Sequence, residues 1–186
     1  MKIGIAGGGA FGTALGVALA LDGNDIQLWA RSAEAIAEMQ KTRKNPKLPG
    51  VDLPQNIALC ADLEPLFSCD TVLLAIPAQT LPEFLNTHES QLAGKTLVAC
   101  CKGIDLTRMT GPASTIHDLV PEAKPAMLTG PSFAADIARG LPTALTLACA
   151  DDELGAMLQI ALSTTSLRIY RTTDMIGAEL GGALKN

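Results

Sequence analysis

The sequence predicts a doubly wound α/β fold, a mostly parallel sheet with helices on both faces, and three observations predict it. Short runs that are apolar throughout recur along the 186 residues, as strands buried on both faces require. Between them lie segments whose apolar residues return at helical spacing. The chain also opens on a strand, a glycine turn and a helix, the first unit of a parallel βαβ arrangement.

Taken in order, "KIGIA" (2–6) is a strand and "AFGTALGVALALDG" (10–23) a helix stopped by Gly23. "DIQLWA" (25–30) is the second strand, and "SAEAIAEMQKTRK" (32–44) a helix with Ser32 as its N-cap. Three prolines and a glycine make residues 45–56 a loop. "IALCA" (57–61) and "DTVLLAIP" (70–77) are strands flanking a short helix, "DLEPLF" (62–67). A helix over 81–92, a strand "TLVACC" (96–101), a helix near 113–119 and a strand "PAMLTG" (125–130) follow. Then come helix "SFAADIAR" (132–139), strand "TALTLACA" (143–150), helix "DDELGAMLQIAL" (151–162), strand "LRIYR" (167–171) and helix 174–186. The whole reads as one domain over 1–186. Its last helix carries no stop signal before Asn186, so a fragment of a longer chain is expected, the alternative being a natural C-terminus inside a helix.

Composition narrows the partners. A hydrophobic content of 48% builds a sizeable core, and a net charge of -5 argues against the broad cationic surface that grips nucleic acid or anionic lipid. An anionic ligand must therefore be held by a few local cations and backbone amides. No run approaches the roughly 18 apolar residues of a membrane span, so stable membrane insertion is not expected. Cys60, Cys69, Cys100, Cys101 and Cys149 lack CxxC spacing and read as small buried thiols, which with the absence of a signal-peptide pattern suggests the cytoplasm. His88 and His117 have no ligand-type neighbours and read as surface residues, so no metal site is expected. Met39, Met109, Met127, Met157 and Met175 read as core filler or surface residues.

Gly7, Gly9 and Gly12 fit G-x-G-x-x-G between the first strand and its helix. In that setting Gly7 permits the tight turn, Gly9 lets a pyrophosphate approach the backbone, and Gly12 lets the helix pack on the strand. The bland alternative is tight packing without a ligand. An acid expected about twenty residues later is missing, and Ala30 and Arg31 stand there instead. An arginine pairs with a ribose 2′-phosphate that an acid would repel, which favours NADP over NAD; otherwise Arg31 is a solvated surface cation.

Further candidates stand where strands end. Lys102 follows a strand and precedes Gly103, at the sheet edge where open α/β folds bind ligands, although loop lysines are commonly just exposed. In "TGPSFAADIA" (129–138), Gly130 and Pro131 shape the backbone and Ser132 presents a hydroxyl, either to a ligand or as an ordinary N-cap. In "ELGGALKN" (179–186), Gly181 and Gly182 each cost a helix about 1 kcal/mol relative to alanine, which a close neighbour must offset. Lys185 lies among apolar residues there, where desolvation lowers a lysine's basicity and suits it to proton transfer; the alternative is a snorkelling lysine.

Together, "GGGAFGTAL", "LWAR", "NPKLPGVDLP", "CCKGID", "GPSFAADIA" and "ELGGALKN" resemble the bacterial NAD(P)-dependent glycerol-3-phosphate dehydrogenases over the whole sequence. The resemblance implies a Rossmann-type domain that lacks the family's C-terminal all-helical domain. It implies reversible reduction of dihydroxyacetone phosphate to sn-glycerol 3-phosphate for glycerophospholipid synthesis, with NADP or NAD as cofactor. Carried across motif by motif, Ala10, Phe11, Arg31 and Ala134 contact the cofactor, and Lys102 touches cofactor and substrate. Gly130 and Ser132 help hold the substrate, and Lys185 matches the family's proton-transferring lysine. Without the second domain, the chain is expected to bind cofactor weakly, turn over little and self-associate through exposed apolar surface, a homo-oligomer being one outcome. Two other readings remain: another two-domain hydroxyacid dehydrogenase acting on a carboxylate, and a non-catalytic NAD(P)-sensing module.

Overall fold

The computed structural model describes residues 2–184. Eight strands form one sheet in the order β3-β2-β1-β4-β5-β6-β7-β8. They are β1 (Lys2–Ala6), β2 (Asp25–Trp29), β3 (Ile57–Cys60), β4 (Thr71–Leu74), β5 (Thr96–Ala99), β6 (Lys124–Thr129), β7 (Thr143–Ala148) and β8 (Leu167–Thr172). Between and after them run α1 (Ala10–Leu21), α2 (Ala33–Thr42), α3 (Glu64–Phe67), α4 (Leu81–Thr87), α5 (Glu89–Leu92), α6 (Pro112–Leu119), α7 (Ala134–Ala138), α8 (Asp152–Leu162) and α9 (Met175–Leu184).

Because successive side chains of a strand point to opposite faces, each inner strand feeds two cores. Ile3, Ile5, Leu73 and Val98 pack under α1, α2, α7 and α8 with Leu15, Leu19, Ile36 and Leu158. Val72, Leu74, Leu97 and Ala99 face the other way, against Leu66, Phe84, Leu85 and Ile116 of α3, α4 and α6. Both faces are covered, as the unbroken apolar runs require.

The six strands β1–β6 are parallel, so the loops after β1, β2, β4, β5 and β6 emerge at one edge. The sequence predicted a mostly parallel sheet without placing a reversal; the structure puts it at β7, which runs antiparallel to β6, with Thr129 opposite Thr146, while β8 is parallel to β7. The reason lies in the connection. Between β6 and β7 stands only α7, a five-residue helix that packs on α1 and does not cross the sheet, so the chain re-enters from the edge it left. A strand's hydrophobicity records burial on two faces and carries no record of direction.

The predicted helix 81–92 is also broken. At His88 the backbone turns to φ -121, ψ 21, separating α4 from α5, and the ring packs 5.2 Å from Phe67 and 5.0 Å from Phe84. His88 is thus half-buried rather than a surface residue, and burial lowers its pKa, which favours the neutral ring. His117 is exposed as expected. Met39 and Met127 lie in the core while Met109 and Met157 are exposed.

All five cysteines are buried and free. Burial pushes each thiol up from its ordinary 9.0, Cys101 to about 12 and Cys100 higher still. In the unfolded chain these thiols ionise near pH 9 while the folded chain holds their protons, so stability falls as pH rises from there. Urea midpoints measured from neutral pH to about pH 11 are expected to fall most steeply above pH 9. A Cys100→Ala, Cys101→Ala chain should show a shallower fall, and an identical slope would reject this assignment.

Candidate functional site

At the shared edge, β1 runs into Gly7, Gly8 and Gly9 before α1 begins at Ala10. Gly7 has φ +128 and donates its amide to the Trp29 carbonyl at 2.9 Å; a Cβ there would overlap the Ala75 carbonyl oxygen. Gly12 is equally constrained, since a Cβ on it would overlap the Gly7 carbonyl oxygen. Gly9 differs. Its backbone is ordinary, φ -76 and ψ 177, and a Cβ would meet nothing within 4 Å. The fold itself therefore supplies no steric reason for glycine at this position. Gly9 is also the N-cap of α1 yet offers no side chain, and the first turn holds no acid. The amides that open α1 thus have the arrangement suited to an external anion.

A cavity of about 900 Å³ opens beside this turn. Gly7–Gly9, Trp29, Arg31, Asn45, Lys47 and His88 are among its walls. Arg31 follows β2 and is exposed at the rim, while Ser32 accepts the Ala35 amide at 3.1 Å and so caps α2 as predicted. Lys102, half-buried after β5, sets its Nζ 5.5 Å from the centre of the Phe11 ring on α1, a cation–π contact joining two predicted residues. The strand predicted over 96–101 ends at Ala99; Cys100, whose amide still donates to the Leu74 carbonyl at 3.0 Å, and Cys101 lead from it to Lys102 at the edge. Ala134 lies on α7 and packs against the core that holds α1.

After β6, Gly130 takes φ +151, where a side chain would press on Leu145. The Ser132 amide donates to the Gly130 carbonyl at 3.0 Å, making a tight turn. Ser132 does not cap a helix as the bland reading held. Helix α7 starts two residues later, at Ala134, with Phe133 in the N-cap position. That leaves the Ser132 hydroxyl, a buried atom, within the turn rather than on a helix end.

Helix α9 returns along β6. Gly182 lies so close that a Cβ would stand 2.9 Å from Thr129 Oγ1 and 3.1 Å from Met127 Cε, the offset its low helix propensity needed; Gly181 has no such neighbour. Glu179 anchors this helix. Only 7% exposed, its carboxylate accepts the Ala113 amide at 2.6 Å, the Ser114 amide at 3.2 Å and the Ser114 hydroxyl at 3.3 Å, capping α6 from a distant part of the chain. Lys185 lies outside the described residues.

Two polar residues of this region went unrecognised in the sequence. Glu179 sits in a motif singled out for its glycines and lysine, and Asn45 opens a segment read only as loop. Neither carries a periodic signal, since each acts on backbone groups far away in sequence.

A family profile described as "NAD-dependent glycerol-3-phosphate dehydrogenase N-terminus" matches residues 2–155. The chain belongs to this family. It is 54% identical over 187 residues to a glycerol-3-phosphate dehydrogenase [NAD(P)+] of Ruegeria sp. (strain TM1040), covering 100% of this chain and 58% of that protein. It is 55% identical over 186 residues to the one from Paracoccus denitrificans (strain Pd 1222), again covering 100% of this chain and 57% of the relative. Among solved structures, glycerol-3-phosphate dehydrogenase from Coxiella burnetii superposes with a TM-score of 0.91 at 28% identity, over 97% of this chain and 56% of that one. The chain thus spans 57–58% of the length of these curated relatives. A yeast glycerol-3-phosphate dehydrogenase, 20% identical with a TM-score of 0.83, shares the fold.

The described chain of this family member has no helix long and apolar enough to cross a membrane. Among the described residues there is also no group of three or more His, Cys, Asp or Glu placed to hold a metal ion.

Proposed function

We propose that this chain is the nicotinamide-cofactor-binding part of a cytoplasmic sn-glycerol-3-phosphate dehydrogenase, and that residues 1–186 act as one cofactor domain. Gly9 carries the reading, as a glycine that nothing inside the fold requires at the uncapped start of α1. The residues present fit the group. The Gly9, Ala10 and Phe11 backbone would receive the pyrophosphate at the helix N-terminus, with Gly7 and Gly12 holding the turn in shape. Arg31, across the cavity, would take a ribose 2′-phosphate, and Ala134 would line the cofactor.

When bound, the cofactor supplies or accepts hydride at the substrate carbon. The chain's own residues handle charge and protons. Lys102, already placed over Phe11, would donate to the substrate oxygen as negative charge grows on it, a preorganised donor contributing roughly 3 kcal/mol. Gly130 and Ser132 would hold the substrate beside it, and Lys185 would exchange the proton. The substrate pair is dihydroxyacetone phosphate and sn-glycerol 3-phosphate, in keeping with the relatives' names.

Trp29, the chain's one tryptophan, lines the cavity and provides the readout. Titration with NADPH and NADH is expected to quench its emission by energy transfer, more tightly for NADPH. Gly9→Ala should shift the urea midpoint little, because its methyl meets open space and the smaller unfolded-state entropy of alanine offsets its poorer capping of α1, yet weaken NADPH binding about tenfold by intruding on the phosphate. Equal affinity for Gly9→Ala and the parent chain would remove the main support for the assignment.

A further inference from the structure

We infer that Asn45 is a positioning residue that holds the Gly8–Gly9 peptide with its amide turned toward the cofactor pyrophosphate, an inference that rests on the cofactor reading above. The glycine turn is the loosest backbone in the chain by composition, three glycines in succession with a large conformational entropy to lose. A ligand that had to order it would bind correspondingly less tightly. Gly7 is set by its bond to Trp29, and among the described residues Asn45 is the side chain that hydrogen-bonds to the Gly8 end of the turn.

Asn45 is 4% exposed and every arm of its amide is engaged. Nδ2 donates to the Gly8 carbonyl at 3.1 Å and to Thr13 Oγ1 on α1 at 2.7 Å, which uses both of its hydrogens. Oδ1 accepts the Lys47 amide at 3.0 Å. The peptide bonds of the chain are trans, so a carbonyl and the amide of the next residue point in opposite directions. Drawing the Gly8 oxygen toward Asn45 therefore turns the Gly9 N–H away from it. The same side chain ties α1 to the turn through Thr13, whose side chain is fully buried.

The brace is itself braced. Leu48 and Leu53 are in the core, the Leu48 amide donates to the Asn45 carbonyl at 2.9 Å, and the Arg43 guanidinium donates to the Leu53, Pro54 and Ile57 carbonyls. The prolines that made residues 45–56 read as loop thus serve a rigid strut. Asparagine suits the position because it combines two donors with one acceptor on a short stem. Aspartate has the same shape and no donors for Gly8.

The test separates orientation of the turn from general stability. In titrations of this chain, Asn45→Ala and Asn45→Asp should weaken ADP-ribose, which carries the pyrophosphate, about tenfold or more, and 2′-AMP, which lacks it, less than threefold. Thr13→Val, which spares the Gly8 bond, should cost ADP-ribose less than either. In the unsubstituted chain without ligand, the Gly9 amide should give one sharp NMR resonance that shifts strongly on adding inorganic pyrophosphate. Equal losses for both nucleotides, ADP-ribose affinity within twofold of the parent in either Asn45 variant, or a Gly9 resonance broadened among conformers would overturn the inference. Failure of the parent chain to bind ADP-ribose at all would instead overturn the cofactor reading on which it stands.

Discussion

Gly12→Ala is expected to lower stability by about 3 kcal/mol, at the upper end for an overpacked site, and to abolish NADPH binding together with it. The added methyl would overlap the Gly7 carbonyl oxygen and stand 3.0 Å from the Ala75 side chain, and neither neighbour can yield. The first contact is backbone of the turn; the second belongs to the segment after β4, pinned to β1 through the Ala75 amide and the Ala6 carbonyl at 2.8 Å. Helix α1 must then lift from the turn whose geometry its first residues complete. For a chain of this size the loss corresponds to a melting temperature lower by roughly 6–12 °C. Differential scanning calorimetry and the Trp29 titration read the two effects together. A Gly12→Ala chain that melts within a degree or two of the parent would show that the turn is more pliant than its contacts imply. The contrast with Gly9→Ala, which should spare the fold and affect only the ligand, makes the pair informative.

Removal of the Glu179 carboxylate should be comparably costly. Glu179→Ala strands two amides and a hydroxyl at the start of α6, where Pro112, Ala113, Thr115 and Ile116 are buried. A buried donor left without a partner costs about 1–3 kcal/mol, and this applies in full to the Ala113 amide, whereas the Ser114 groups, on an exposed residue, regain water in part, so a total of about 2–3 kcal/mol is expected. Glu179→Gln retains a carbonyl oxygen for the Ala113 and Ser114 amides and should recover at least half of the loss. Hydrogen exchange should also show where the damage falls, with α9 losing protection before the sheet because this carboxylate is its main polar tie to the body of the fold. Uniform loss across β1–β6 would mean that α9 is held by its apolar contacts with Met127, Ala113 and Ala148 instead.

How much of this was legible beforehand depends on the range of the interaction involved. The βαβ opening was readable because each signal is local: KIGIA must be a strand to bury Ile3 and Ile5, and the glycines after it have no helix propensity to resist the turn. Ser32 as a cap and the loop over 45–56 were likewise readable from a few adjacent residues. The spacing of Gly7, Gly9 and Gly12 named the motif, yet it could not divide their labour. Only the packed structure shows that Gly7 and Gly12 are demanded by neighbouring backbone and that Gly9 is not.

By itself, then, the sequence determined the alternation of buried strands and helices, the glycine turn, the small buried thiols and the family the chain belongs to. Periodicity, turn chemistry and motif order are properties of neighbouring residues. The tertiary structure alone decided the reversal of β7, the break at His88, the start of α7 at Ala134, and the partners of Asn45 and Glu179. The last two are settled by groups far apart in the chain, Gly8 with Asn45 and Ala113 with Glu179, and such pairs exist only once the sheet has brought them together; the others follow from how the short connections pack on the finished fold.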